Sequence, residues 1–130
     1  MQDIFDDLKT IIEQGIPAVL CIVTETTGST PRKAGSKMLV FQDGTIKGTI
    51  GGGNIEFQAI QEAVKSISVG EPFSKHFHLE DDLKMHCGGT MQVYFEPIGC
   101  LPKLYIFGGG HIGKALAGYA TGLGFKPFVF

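Results

Sequence analysis

The sequence is short of the features that mark exported, membrane-bound or nucleic-acid-binding chains. Its three cysteines, Cys21, Cys87 and Cys100, stand at irregular positions and form neither a disulfide framework nor the paired C-x-x-C spacing of a zinc site. There is no excess of one charge: eleven Lys and Arg against thirteen Asp and Glu leave a net charge of -2. That balance supplies no general attraction to nucleic acid or to an anionic membrane, and leaves room only for a local basic patch. Long apolar runs are missing as well. The longest, Ile16 to Val23, holds eight residues, against the roughly 20 needed to span a bilayer. The N-terminus, Met1 to Asp7, is acidic and amphipathic where a signal peptide would be basic and then uniformly apolar. No repeat or low-complexity segment occurs. These absences point to a soluble protein of the reducing cytoplasm.

What is present is enough for a core. At 130 residues and 43% hydrophobic side chains, the chain suits one compact domain, or one domain followed by a fragment, and the second reading is preferred. Ile4, Phe5, Leu8, Ile11 and Ile12 recur at helical spacing, so Asp3 to Gln14 reads as an amphipathic helix stopped by Gly15 and Pro17. Ala18 to Val23 reads as a strand covered on both faces, with Cys21 as plain core. A polar loop, Thr24 to Gly35, follows. Ser36 to Phe41 and Thr45 to Ile50 flank Asp43-Gly44, a dipeptide suited to a tight hairpin. Asn54 is placed to cap a helix whose apolar face is Ile55, Ala59, Ile60, Ala63, Val64 and Ile67, ended by Gly70. Phe73 to Leu79 and Thr90 to Phe95 read as strands, the latter ended by Pro97. The expected class is α/β: a first domain with a mixed sheet over residues 1–99, a linker at 100–103, and an incomplete Rossmann-type βαβ over 104–130.

The last segment carries the most familiar pattern. Leu104 to Phe107 is a short apolar strand, and Gly108, Gly110 and Gly113 follow with G-x-G-x-x-G spacing. Behind them Ile112, Leu116, Ala120 and Leu123 mark a helix that Gly124 ends, and Phe125 to Phe130 begins a second strand. In that context Gly108 makes the tight turn, Gly110 lets a pyrophosphate approach, Gly113 lets helix and strand touch, and the first helical residues, His111 and Ile112, present backbone N–H groups to the anion. The alternative is a strand-to-helix turn that binds nothing. The acidic residue that would hold the ribose hydroxyls belongs about 20 residues past the turn, at the point where the sequence stops. A lone βαβ leaves sheet edges open, so the chain is expected to oligomerise, by exchange of its C-terminal segment or otherwise.

Three further stretches could hold a ligand. Gly51, Gly52, Gly53 and Asn54 join a strand to a helix start and so concentrate free N–H donors. Glu56, in the first helical turn, is either a functional carboxylate or a complement to the helix dipole. Thr26 to Lys33 supplies hydroxyls, among them Ser29 and Thr30, and the cations Arg32 and Lys33, a set suited to an oxyanion or to nothing beyond solvation. Cys87, Gly88 and Gly89 place a thiol in a turn where a ligand can approach, although no helix dipole or cation nearby would activate it. His76 and His78 alternate on one strand face with His86 close in sequence. They lack the usual metal-ligand spacing, and no metal site is assigned.

Taken in order, Gly28-Ser29-Thr30-Pro31-Arg32, Gly48 to Glu56, Cys87-Gly88-Gly89, Glu96-Pro97 and the terminal glycine fingerprint make the chain resemble the XdhC/CoxI family of molybdenum-enzyme accessory proteins over about residues 5 to 130. The resemblance implies a cytoplasmic maturation factor. It would bind molybdenum cofactor, assist its sulfuration and help insert it into a xanthine dehydrogenase-type molybdoenzyme, with a cysteine desulfurase as a second partner. Such a protein is a carrier and not the dehydrogenase. Ser29, Thr30, Arg32, Gly51 to Asn54, Glu56 and Cys87 to Gly89 are then the cofactor-binding candidates, with no catalytic residue assigned. Family members carry a complete C-terminal Rossmann domain, and only its beginning is present here, so NAD(P) binding would fall on an incomplete site. The competing reading is a small NAD(P)-binding oxidoreductase or nucleotide-binding subunit, weakened by the lack of an evident proton donor.

Overall fold

The computed structural model describes residues 3–30, 32–79 and 88–130. They fall into two compact units, Met1–Cys100 and Leu101–Phe130. The first unit contains α1 (Ile4–Gln14), β1 (Ala18–Thr27), β2 (Lys37–Phe41), β3 (Ile46–Gly48), α2 (Gly53–Val69), β4 (Phe73–His78) and β5 (Thr90–Ile98). Its five strands lie in the order β3-β2-β1-β5-β4, every neighbour antiparallel. The second unit holds β6 (Lys103–Ile106), α3 (His111–Gly122) and β7 (Lys126–Val129), with β6 and β7 parallel. The α/β class therefore holds. The mixture of pairings expected of the first sheet arises across the chain, antiparallel in the first unit and parallel in the second.

The unbroken apolar run in β1 has a direct cause. Side chains alternate across a strand, and here both faces are covered. Val19, Cys21 and Val23 enter a core with Ile55, Ala59 and Ala63 of α2. Ala18 and Leu20 enter another with Ile11 of α1. Phe95 of β5 is fully buried and stacks on Phe73 of β4, with ring centroids 4.6 Å apart. A close pair of this kind is worth about 1 kcal/mol beyond its burial.

The helices end where the sequence marks them. Asp3 caps α1 by accepting from the Phe5 N–H at 3.2 Å, and Gly15 turns left-handed (φ 63°) so that Ile16 can donate back to the Ile11 carbonyl. Asp7, buried in α1, accepts from Lys47 of β3 at 2.8 Å and so ties helix to sheet edge. Between β2 and β3, Asp43 accepts from both the N–H and the hydroxyl of Thr45, which holds its carboxyl below the ordinary aspartate range. Burial pushes the Cys21 thiol up to about 12.

Three expectations need correction. β1 does not stop at Val23 but runs to Thr27, because β5 supplies partners for Glu25, Thr26 and Thr27 after a bulge between Val23 and Glu25. Pro97 does not end β5, which continues to Ile98. Pairing with β4 reaches only as far as Phe95, so at Pro97 the strand is an edge on that side and no donor is missed there. Asn54 is not the cap of α2. The cap is Gly52 and the helix starts at Gly53, with no side-chain cap bond. The glycines turn the chain two residues before Asn54, in backbone conformations that side chains rarely adopt.

Candidate functional site

Strand direction decides which loops share an end of the first sheet. Thr27 at the end of β1 is opposite Thr90 at the start of β5, and His78 at the end of β4 is opposite Thr90 on the other side. Gly48, ending β3, pairs with Met38 near the start of β2. Consequently the loop after β1, the glycine turn before α2 and the Gly88-Gly89 turn before β5 all leave the sheet at one end. These are the stretches that hold Ser29, Thr30 and Arg32, then Gly51 to Glu56, then Gly88 and Gly89. Cys87 lies outside the described residues.

Two of these stretches touch backbone to backbone. A Cβ on Gly28 (φ 69°) would stand 3.0 Å from the Gly89 Cα and 3.2 Å from the Gly88 oxygen. One on Gly89 would run into the carbonyls of Ser29 and Thr27. Beside this contact the hydroxyls of Thr27 and Thr90 are hydrogen-bonded to each other across the strands. Leu79 donates to the Gly89 carbonyl at 2.9 Å, which brings the end of β4 into the same cluster. Glycine is needed at both positions because the two chains approach more closely than a side chain permits. Ser29 and Arg32 are exposed and Thr30 is half-buried. The Thr30 hydroxyl donates to the Arg32 carbonyl at 3.1 Å, and among the described residues Arg32 makes no ion pair.

The second glycine turn is held from below. Gly51, Gly52 and Gly53 all have positive φ (142°, 73° and 64°), a run that residues with side chains rarely adopt. The Thr49 hydroxyl accepts from the Gly51 N–H at 3.1 Å and donates to Glu56 Oε1 at 2.7 Å. Glu56 is therefore committed on one oxygen to the turn's own support. Sequence reading assigned no role to Thr49, which is seven residues from its partner and matches no capping pattern. Asn54 is exposed in the first turn of α2, where the early N–H groups lack helical partners.

In the second unit the strand, glycine turn and helix are as the sequence indicated. Gly113 packs so tightly that a Cβ would collide with the Gly108 carbonyl, whereas at Gly110 nothing among the described residues lies within 4 Å of one. An open cleft of about 640 Å³ borders the turn, lined by residues that include Gly108, Gly110, His111, Ile112 and Gly113. Gly124 (φ 86°) follows α3, and Phe125 donates back to the Ala120 carbonyl at 2.9 Å. His76 and His78 are exposed on β4, and His86 lies outside the described residues. Among the described residues no three His, Cys, Asp or Glu side chains gather as a metal set, and no helix is long and apolar enough to cross a membrane.

An antiparallel α/β unit with glycine-built loops at one sheet end, followed by a strand-turn-helix-strand, is the class of protein these features define. The model of the XdhC and CoxI family matches residues 11–78, and the chain belongs to that family. It is 35% identical over 127 residues to the uncharacterized protein YqeB of Escherichia coli strain K12, covering 95% of this chain and 23% of that one. The chain thus spans about a quarter of the curated relative's length. A solved structure described as a xanthine dehydrogenase from Bacillus halodurans shares the fold, with a TM-score of 0.63 at 20% identity over 98% of this chain and 62% of that chain.

Proposed function

We propose that the chain is the cargo-holding part of an accessory protein for a xanthine dehydrogenase-type molybdoenzyme, and that the cargo is molybdenum cofactor. The observation that carries this reading is the Gly28 to Gly89 contact, which brings two family motifs together backbone to backbone beside the hydroxyls and guanidinium of Ser29, Thr30 and Arg32. Family membership supports it. A pterin with a phosphate tail needs oxyanion donors, and Ser29, Thr30 and Arg32 supply hydroxyls and a guanidinium. Ser29, Thr30 and Arg32 would hold the anionic tail. The backbone N–H groups of Gly53 and Asn54 at the start of α2 would add donors. Glu56 would act through Thr49, keeping the turn in shape. The setting we infer is a reducing cytoplasm, where the free thiols Cys21 and Cys100 stay reduced.

Cargo sulfuration, with a cysteine desulfurase as donor, and hand-over to the client enzyme complete the reading, and Cys87 is its candidate for contact with the metal centre or a transferable sulfur. A second reading, a nicotinamide-nucleotide oxidoreductase or its nucleotide-binding subunit, draws on the tight Gly108 to Gly113 turn and the cleft beside it. One experiment separates the two. The chain is titrated anaerobically with molybdenum cofactor released from a molybdoenzyme, and separately with NAD(H), with bound molybdenum measured after gel filtration. Molybdenum eluting with the chain, less of it in Arg32→Ala and Cys87→Ser variants, is the expected result. Binding of the nicotinamide alone, with hydride transfer, would replace the first reading with the second.

A further inference from the structure

Two loops at one end of the first sheet carry opposite chemistry. The loop after β1 presents the hydroxyls of Ser29 and Thr30 and the exposed guanidinium of Arg32, groups that donate to an anion. The turn before α2 presents a carboxylate. Glu56 is half-buried in the first turn of that helix, and Thr49 fixes its position. The Thr49 hydroxyl accepts from the Gly51 N–H at 3.1 Å and spends its own proton on Glu56 Oε1 at 2.7 Å. A carboxylate can accept about four hydrogen bonds. Among the described residues Thr49 supplies one, so most of that capacity is left for a ligand. The second oxygen borders the turn itself: a Cβ built on Gly52 (φ 73°) would stand 3.9 Å from Oε2, with nothing closer among the described residues. Glycine there leaves the approach to that oxygen without a side chain.

The charge of Glu56 disfavours one occupant and selects another. A phosphate seated on the first N–H groups of α2 would also face this carboxylate, and like charges so close repel. A neutral edge that offers donors beside an acceptor satisfies both groups at once. Its N–H bonds go to the carboxylate, and its carbonyl takes the N–H of Gly53 or Asn54, which have no partner within the helix. The 2-amino, N3–H and 4-oxo edge of a pterin has that order of groups.

We propose that Glu56 reads the amino edge of the cargo's pterin, its carboxylate accepting from the 2-amino group and N3–H, while Ser29, Thr30 and Arg32 take the anionic tail. The inference rests on the cargo reading above and adds a direction to it, amino edge toward α2 and tail toward the loop after β1. It also adds a specificity. A pteridine with oxygen in place of the amino group would set a carbonyl against the carboxylate, two acceptors with no proton between them, and is rejected on that ground.

Equilibrium dialysis of the 130-residue chain against pterin, and against lumazine, which carries oxygen where pterin carries the 2-amino group, tests this with ligand fluorescence as the readout. Pterin is expected to bind at least about tenfold more tightly. In Glu56→Gln the amide oxygen can still accept from Thr49, while the N–H2 suits the lumazine oxygen, so the preference should fall below about threefold or reverse. Amide exchange over Gly51 to Glu56 checks that the turn persists in the variant. A role confined to shaping the turn would alter that exchange and leave the preference as it was. Equal binding of the two compounds by the unaltered chain, no pterin binding up to about 1 mM, or a preference that survives Glu56→Gln would overturn the proposal. Molybdenum eluting with the chain alongside any of these results would leave the cargo reading standing, whereas a chain that holds neither molybdenum nor pterin loses both.

Discussion

Thr49 and Glu56 are joined across the glycine turn by a hydrogen bond of 2.7 Å, and through Thr49 the bond extends to the N–H of Gly51. The carboxylate thus shapes a segment that has no side chains of its own. Replacing Thr49 with Val keeps the volume and removes both bonds. The expected loss is about 1 to 2 kcal/mol in urea unfolding, with faster amide exchange confined to Gly51 to Glu56. Thr49→Ser should restore both. Equal exchange in the Val and Ser variants would show that the turn holds itself.

Gly88 and Gly89 are adjacent and should respond oppositely to alanine. Among the described residues nothing lies within 4 Å of a Cβ on Gly88, whereas one on Gly89 meets the Ser29 and Thr27 carbonyls. Gly88→Ala should change stability by less than about 0.5 kcal/mol, and Gly89→Ala should cost about 2 to 3 kcal/mol as the two backbones are forced apart. Cofactor retention should fall with Gly89→Ala. Matched unfolding midpoints for the two variants would count against the close approach.

Cys21 provides the pH dependence. Its thiol is raised to about 12 by burial, so above the ordinary value the unfolded chain loses a proton that the folded chain keeps. The stabilisation is complete below about pH 9 and declines as pH rises toward 12. Urea midpoints should fall over that window, and less steeply in Cys21→Val. At pH 8 a thiol reagent should modify exposed Cys100 rapidly, and Cys21 only after urea is added. Rapid labelling of Cys21 in the native protein would contradict its burial.

Local pattern made much of this fold legible. The stripe of Ile4, Leu8 and Ile11 with Gly15 behind it defines α1, and the two-sided apolar run of β1 told of a sheet covered on both faces. Long-range pairing was less accessible. Thr24 to Thr27 look like a polar loop until β5 is seen beside them, and the partner that makes them strand lies more than sixty residues away. The meeting of Gly28 with Gly89 depends on the same pairing. Asn54 failed as a cap for a different reason: its chemistry was right, but the preceding glycines had already made the turn. Thr49 could not be found at all, because a side chain that reaches across a turn leaves no period in the sequence.

The bulge in β1 sets a phase. Up to Val23 odd-numbered residues face α2, and after the extra residue the odd-numbered Glu25 and Thr27 face the other way. Thr27 therefore arrives on the same side as Thr90, and Gly28 leaves the strand directed at Gly89. Removing one residue there would leave the layers beneath in register and turn the exit of the strand by half a period. The position of the candidate site is thus encoded partly as a count of residues, which a comparison of side chains alone would not register.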